Sequence, residues 1–292
     1  MMGQLVDGQA LRIRRHGQTL QTLTCNIKTS LVCTHIVTTR SIAYQFKRHP
    51  IPMVTHFRHS LVLAYAFPAE VLDPLVPPGL TLDTYDRHGF VAVALVQTEQ
   101  LRPTRFPRWA GQNFFLTGYR IFVRHHDATG RLRRGLHILR SDTNRRSMVW
   151  GGNALTHYNY RLAHIRCADT AAQLEIEIRT PNAEADLHVV ADLASKPAPV
   201  PIDSPFAGTS DARRFAGPLA WTFDYEPETH SIVMIRGRRT EWKPESIEVD
   251  VKECAYVHDA RFRGASPVLA NAFHVSNIDY RWDRGIRIPL DR

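Results

Sequence analysis

Lysine is scarce in this chain. Of 37 basic residues only five are lysines, Lys28, Lys47, Lys196, Lys243 and Lys252, and none falls between Lys47 and Lys196. Chemistry that needs a primary amine has few places to come from, and arginine cannot stand in because its guanidinium stays protonated. Cysteine is scarce as well. Cys25, Cys33, Cys167 and Cys254 form no C-x-x-C pair, which argues against a disulfide framework or a structural zinc site and for a reducing, cytoplasmic setting. No run of about 18 apolar residues exists, so no membrane-spanning helix is expected. The chain also lacks G-x-S-x-G, a P-loop and G-x-G-x-x-G, which removes the common signals for a serine nucleophile, a nucleotide phosphate site and a dinucleotide fold. No cofactor and no metal are expected.

What the chain does have is an ordinary globular composition: 292 residues, 43% hydrophobic and 22% charged. Its net charge of +9 is uneven, with six of those charges in residues 1–50. The body is only mildly basic, so the high isoelectric point does not argue for nucleic acid as a partner. Residues 1–50 are rich in Thr, Gln and Arg and poor in acids, and they lack the compact apolar stretch of a secretory signal. They read as a poorly ordered basic extension upstream of the true start, in preference to an organelle transit segment, because no clear amphipathic helix emerges. Residues 51–292 read as one domain.

Within that domain the hydrophobic pattern is that of strands. Ser60–Phe67 (SLVLAYAF) reads as a buried strand, and Phe90–Gln97 (FVAVALVQ) and Phe114–Arg124 (FFLTGYRIFVR) as a second and a third strand. Pro68 opens a short helical turn that Pro77-Pro78-Gly79 stops. In the second half the period is two: Leu174, Ile176 and Ile178 alternate with Glu175, Glu177 and Arg179, and Ile247, Val249 and Val251 with Glu248, Asp250 and Lys252. Trp221–Tyr225 and Ile232–Ile235 flank a turn and read as a hairpin. Gly151-Gly152 reads as a tight turn, and the Pro-rich segment 194–208 as a loop. About ten short strands with a few short helices predict a mainly β (α+β) fold, a closed or nearly closed antiparallel barrel, which leaves no exposed edges.

The candidate site residues come from polar groups in apolar company. Arg58 and Arg120 sit in or beside strongly apolar strands, where an unpaired guanidinium is costly. Each either pairs with an internal carboxylate or holds a carboxylate-bearing ligand in two-point fashion. Leu155–Ile165 (LTHYNYRLAHI), read as extended, places His157, Asn159 and Arg161 on one face and Tyr158, Tyr160 and Leu162 on the other. A polar face turned inward would line a cavity, and one turned outward would be wet. His56 and His59, three apart in a strand, point to opposite faces and do not form a metal pair. Glu175 and Glu177 read as a solvated stripe.

Three segments carry a resemblance to a known family: HFRHSLVLAYAFPAEVLDPLVPPGLTLDT at the opening, FFLTGYRIFVRHHDATGRLRRGLHIL in the middle and SPVLANAFHVSNIDYRW near the end. They resemble the YqjF-like uncharacterised family (domain of unknown function 2071), a relative of acetoacetate decarboxylase. The resemblance implies that enzyme's β-barrel, with Arg58 at the position of its active-site arginine. It implies that the decarboxylase's lysine pair corresponds to Gly152–Thr156, where this chain has no amine, and its two glutamates to Ala94 and Leu116–Thr117. The expectation is a cavity for a small anionic or carbonyl ligand, lined by Arg58, Arg120, His157 and Tyr158. The alternatives are a decarboxylase or lyase acting through a relocated lysine, Lys243, and a non-catalytic structural module. Because the decarboxylase relatives assemble, a homo-oligomer is possible.

Overall fold

The computed structural model describes residues 43–127, 129–195, 197–239 and 241–291. Phe46–Arg292 form one compact unit, while Met1–Gln45 fall almost wholly outside the described residues, and with them most of the expected basic extension. Residues 46–50, inside the expected extension, belong to this unit. Arg48 donates from Nε and Nη2 to the two carboxylate oxygens of Glu226 at 2.9 and 2.7 Å, and His49 is buried. A carboxylate with no exposed surface, as Glu226 is, needs that counter-charge, and composition alone does not reveal it.

Fifteen strands are present among the described residues: β1 (Met53–Pro68), β2 (Thr81–Leu82), β3 (His88–Pro103), β4 (Gln112–His126), β5 (Leu132–Thr143), β6 (Tyr160–Leu162), β7 (His164–Asp169), β8 (Gln173–Arg179), β9 (Leu187–Asp192), β10 (Trp221–Glu226), β11 (Ser231–Arg239), β12 (Glu245–Ser246), β13 (Glu248–Cys254), β14 (Val268–Trp282) and β15 (Ile286–Pro289). The α-helices after β1 are α1 (Ala69–Leu72), α2 (Arg146–Leu155) and α3 (Thr209–Ala216). In the larger sheet the pairings run β14–β1–β3–β4–β5–β10–β11 and return to β14, a nearly closed ring of seven strands. Most pairs are antiparallel as expected. One seam is thin: β5 meets β10 through a single parallel bridge, Leu136 to Thr222. The other joins Gly237–Arg239 of β11 to Tyr280–Trp282 of β14.

The apolar runs of β1, β3 and β4 are explained by cover on both faces. Their outer side chains, among them Leu61, Leu63, Val91, Val93 and Tyr119, share one core with Leu174, Ile176, Ile178, Leu187 and Val189 of a second, four-stranded sheet ordered β13-β9-β8-β7. That sheet has one dry and one wet face, hence its strict alternation. Each fully buried aliphatic side chain at this junction contributes about 1.5–3 kcal/mol.

The inner faces of the ring strands carry a different set. At one end α3, with Ala212 and Ala216, packs with Phe90, Phe122, Phe206 and partly buried Phe215. Toward the other end Phe57, Leu116, Ile138, Met148, Tyr158 and Tyr160 form a separate cluster. Where these two clusters meet, the small side chains of Ala92 and Ala94 leave room.

Helix α2 departs from the sequence reading. Gly151-Gly152 lies inside it rather than in a turn. A helical glycine costs about 1 kcal/mol relative to alanine, but here any Cβ on Gly152 would collide with the Tyr160 ring. The glycine is required by a tertiary contact that local sequence does not show. Of the expected strand over 155–165, only Tyr160–Leu162 and the start of β7 are extended.

Candidate functional site

The room between the two clusters is a cavity of about 220 Å³, lined mostly by apolar side chains such as Val62, Ala92, Ala94, Leu116, Phe122 and Phe273. For scale, an apolar cavity of ~150 Å³ holds benzene. Helix α2 covers one side with Met148, Gly152 and Leu155, and His49 contributes from the N-terminal side.

Arg120 is the principal polar group in this space. It projects from β4, where Arg120 pairs with Ala92 of β3 and, past a β-bulge, with Ile138 of β5. Its guanidinium folds back over Gly118: a Cβ there would stand 2.8 Å from Nε and 3.0 Å from Nη2. Nε is covered by protein yet finds no hydrogen-bond partner, and among the described residues no carboxylate pairs with Arg120. Burial holds its pKa below the ordinary arginine value, partly offset by the nearby hydroxyls of Tyr280, Tyr158 and Tyr160. Burial in turn pushes all three phenols above the ordinary tyrosine range, so they remain protonated donors. The Tyr158 hydroxyl has no partner.

A second cation, Arg239, lines the cavity from β11. It donates from Nη2 to the Pro218 carbonyl at 2.7 Å, and its guanidinium carbon lies 4.4 Å from the centroid of the Trp242 ring. Burial lowers its pKa, with Tyr280 opposing. Among the described residues it too lacks a carboxylate partner. Asp224 is the buried acid nearest in kind. It lies two residues along β10 from the cavity-lining Thr222, both its oxygens are unpartnered, and burial pushes its pKa up to about 8, so it is largely neutral at pH 7. Burial also lowers His49 to about 4, leaving a neutral imidazole at the cavity wall. The space therefore presents the enclosed Arg120, several neutral donors, and Arg239, which also borders an outer polar groove with Glu99 and Asp279.

The structure brings together some of the residues proposed from sequence and not others. Arg120 and Tyr158 line the cavity. Arg58 does not: its side chain is 52% exposed and donates from Nη2 to Asp169 at 3.1 Å, on the side facing the second sheet. The bulge between Phe57 and His59 sets this direction. Its neighbour His59 bridges Asp169 and His274 at 2.9 and 3.0 Å. His157 is also outside the cavity lining, with Nε2 3.9 Å from Glu226; burial lowers its pKa, and Lys47 and Arg48 add to the effect. Lys243 is exposed although the preceding Trp242 lines the cavity. Among the described residues no lysine lines it. Gly152, Leu155 and Thr156, where the resemblance aligns the lysine pair, do line it, as do Ala94 and Leu116 at the aligned glutamate positions.

Arg239, Asp224, Tyr160, Tyr280 and Trp242 were not singled out from sequence. Alternation did carry a partial signal: Thr222, Asp224 and Glu226 share one face of β10, but that face reads as wet until the ring encloses it.

This combination, a nearly closed mainly-β ring around a cavity with a second sheet packed outside, is the acetoacetate decarboxylase-like fold. The structure of acetoacetate decarboxylase from Legionella pneumophila matches with a TM-score of 0.55 at 12% identity, covering 82% of this chain and 88% of that one. An acetoacetate decarboxylase-like enzyme from Sphingomonas wittichii RW1 matches with a TM-score of 0.54 at 13% identity, covering 82% and 94%. The enduracididine biosynthesis enzyme MppR, with HEPES buffer bound, matches with a TM-score of 0.55 at 9% identity, covering 82% and 88%. No curated protein matches the chain by sequence. The chain belongs to the DUF2071 family, described as an uncharacterized conserved protein, whose model matches residues 55–277. Among the described residues no helix is long and apolar enough to cross a membrane.

Proposed function

We propose that this protein binds a small anionic or carbonyl molecule in the ring cavity, with Arg120 as its anchor and Tyr158 as a hydroxyl donor, and that it does not work as a Schiff-base decarboxylase. The observation that carries this reading is Arg120: a guanidinium enclosed in an apolar cavity with no carboxylate partner and an orphaned Nε. Leaving such a charge uncompensated costs several kcal/mol, and a carboxylate or polarised carbonyl offsets that cost through charge-assisted hydrogen bonds. The volume suits a molecule of roughly nine non-hydrogen atoms, scaling from benzene in ~150 Å³. One MppR structure is complexed with pyruvate, a keto acid, which is the same class of ligand.

That no lysine lines the cavity among the described residues supports the second half of the proposal. Imine formation needs an amine with a lowered pKa in contact with the carbonyl, and the segment aligned with the lysine pair reads Gly-Asn-Ala-Leu-Thr. Calorimetry with small carboxylates and ketones tests the binding role. Arg120→Gln is expected to weaken binding by at least about tenfold, the worth of a charged hydrogen bond. Equal affinities for the wild type and this variant would reject the assignment. Borohydride treatment with a β-keto acid is expected to leave the protein mass unchanged, and a trapped adduct at Lys243 would restore the decarboxylase alternative.

A further inference from the structure

Two guanidinium groups line one cavity of about 220 Å³, and they come from opposite walls. Arg120 is on β4 and Arg239 on β11, and around the ring of seven these strands are three apart in one direction and four in the other, the largest separation such a ring allows. Tyr280 sits in register with Arg239 across the β11–β14 seam and interacts electrostatically with both arginines. Gly237 makes room for that tyrosine, because a Cβ there would collide with the phenol oxygen. Much of the remaining lining is hydrocarbon, including Val62, Ala94, Leu116, Ile138 and Phe273.

Like charges in one low-dielectric space repel, and each also bears its own desolvation cost. Proteins ordinarily resolve this with buried carboxylates, and here none pairs with either group among the described residues. Arg239 is partly satisfied by the Pro218 carbonyl and the Trp242 ring, which fix its direction without neutralising it. The neutralising charges are then left for the ligand to supply.

Building on the anion-binding role of Arg120, we infer that the cavity takes a compact dianion with an apolar spacer, such as a short-chain dicarboxylate, one carboxylate held at Arg120 and the other at Arg239. A monoacid of the same length satisfies one end and leaves the other guanidinium uncompensated. Arg239 is thus the residue that sets specificity, and Arg120 the residue that sets affinity for either class.

The probes are matched pairs: pentanoate with glutarate, and hexanoate with adipate, titrated calorimetrically and by the fluorescence of the cavity tryptophans Trp242 and Trp282. In the wild type the diacid of each pair is expected to bind at least about tenfold tighter than the monoacid. Arg239→Gln is expected to remove that preference and leave monoacid affinity within about twofold, while Arg120→Gln weakens both. Arg239→Lys, which keeps the charge with less change to the fold, is expected to keep part of the preference. Equal binding of monoacid and diacid to the wild type, a comparison that needs no variant, overturns the inference while leaving Arg120 as a monoanion site. So does an equal loss of both classes in Arg239→Gln. Failure of every carboxylate to bind overturns the anion-binding role itself.

Discussion

Asp224 offers the most quantitative test of the enclosed ring interior. Its carboxyl is buried with both oxygens unpartnered, and its pKa is pushed up to about 8 from an ordinary value of 3.8. The folded protein therefore keeps a proton that the unfolded chain releases near pH 4. Whenever the native state binds more protons than the unfolded state, stability falls as pH rises. The contribution is fully present below pH 3.8 and is lost progressively as the pH climbs toward 8. At about 1.4 kcal/mol per pH unit over roughly three units, the loss by neutrality approaches 4 kcal/mol. Asp224→Asn keeps the shape and removes the titration. The variant is expected to match the wild type within about 1 kcal/mol near pH 4 and to be more stable by roughly 2–4 kcal/mol at pH 7–8. Urea denaturation followed by tryptophan fluorescence across that range reads the difference directly. Buried histidines act in the opposite sense. His49, lowered to about 4, stabilises above pH 6.5 and loses that stability as pH falls toward 4, and His137 and His157 shift in the same direction. These groups are common to both proteins and cancel in the comparison. Parallel stability curves for wild type and variant would mean that Asp224 is solvated or paired, and that the ring interior around it is not dry.

Three more contacts each carry a test. Gly118→Ala is expected to push the Arg120 head group aside, lowering carboxylate affinity about tenfold with a melting temperature within a few degrees of wild type, because the atoms it displaces are the free end of a flexible side chain; an unchanged affinity in calorimetry would show that the guanidinium does not rest over Gly118. Arg140 donates from Nε to both oxygens of fully buried Asp142 at 2.9 and 3.0 Å, so Arg140→Met is expected to cost about 3–5 kcal/mol in denaturant unfolding by leaving that carboxylate unpaired. A cost below about 1 kcal/mol would show the pair to be dispensable. Arg58→Ala is expected to leave ligand affinity unchanged and to cost at most about 1 kcal/mol of stability, since its ion pair with Asp169 is half exposed; a large loss of binding would restore Arg58 to the site.

Arg58 and Arg120 illustrate why the site was only half legible beforehand. Both are arginines in apolar strands, and the sequence treats them alike. Whether a strand residue faces the ring or the outer sheet depends on parity, and a bulge changes parity within one strand: β1 is interrupted between Phe57 and His59, next to Arg58. Bulges have no reliable sequence signature. The Gly152 position is similar, a glycine that local propensity assigns to a turn and a helix retains because the Tyr160 ring lies against it.

The sequence by itself determined the class of fold and the family, because alternation, apolar runs and turn residues are local properties that tertiary contacts here reinforce. It also determined the shortage of amines, since a missing residue type is missing in every conformation. Only the tertiary structure decided which side chains share the cavity. Arg120 from β4, Arg239 from β11 and Tyr280 from β14 are far apart along the chain, and they meet because strand closure converts one face of each strand into a common interior. Burial, and with it the neutral Asp224 and the uncompensated pair of guanidinium groups, is a property of that enclosure and not of any segment.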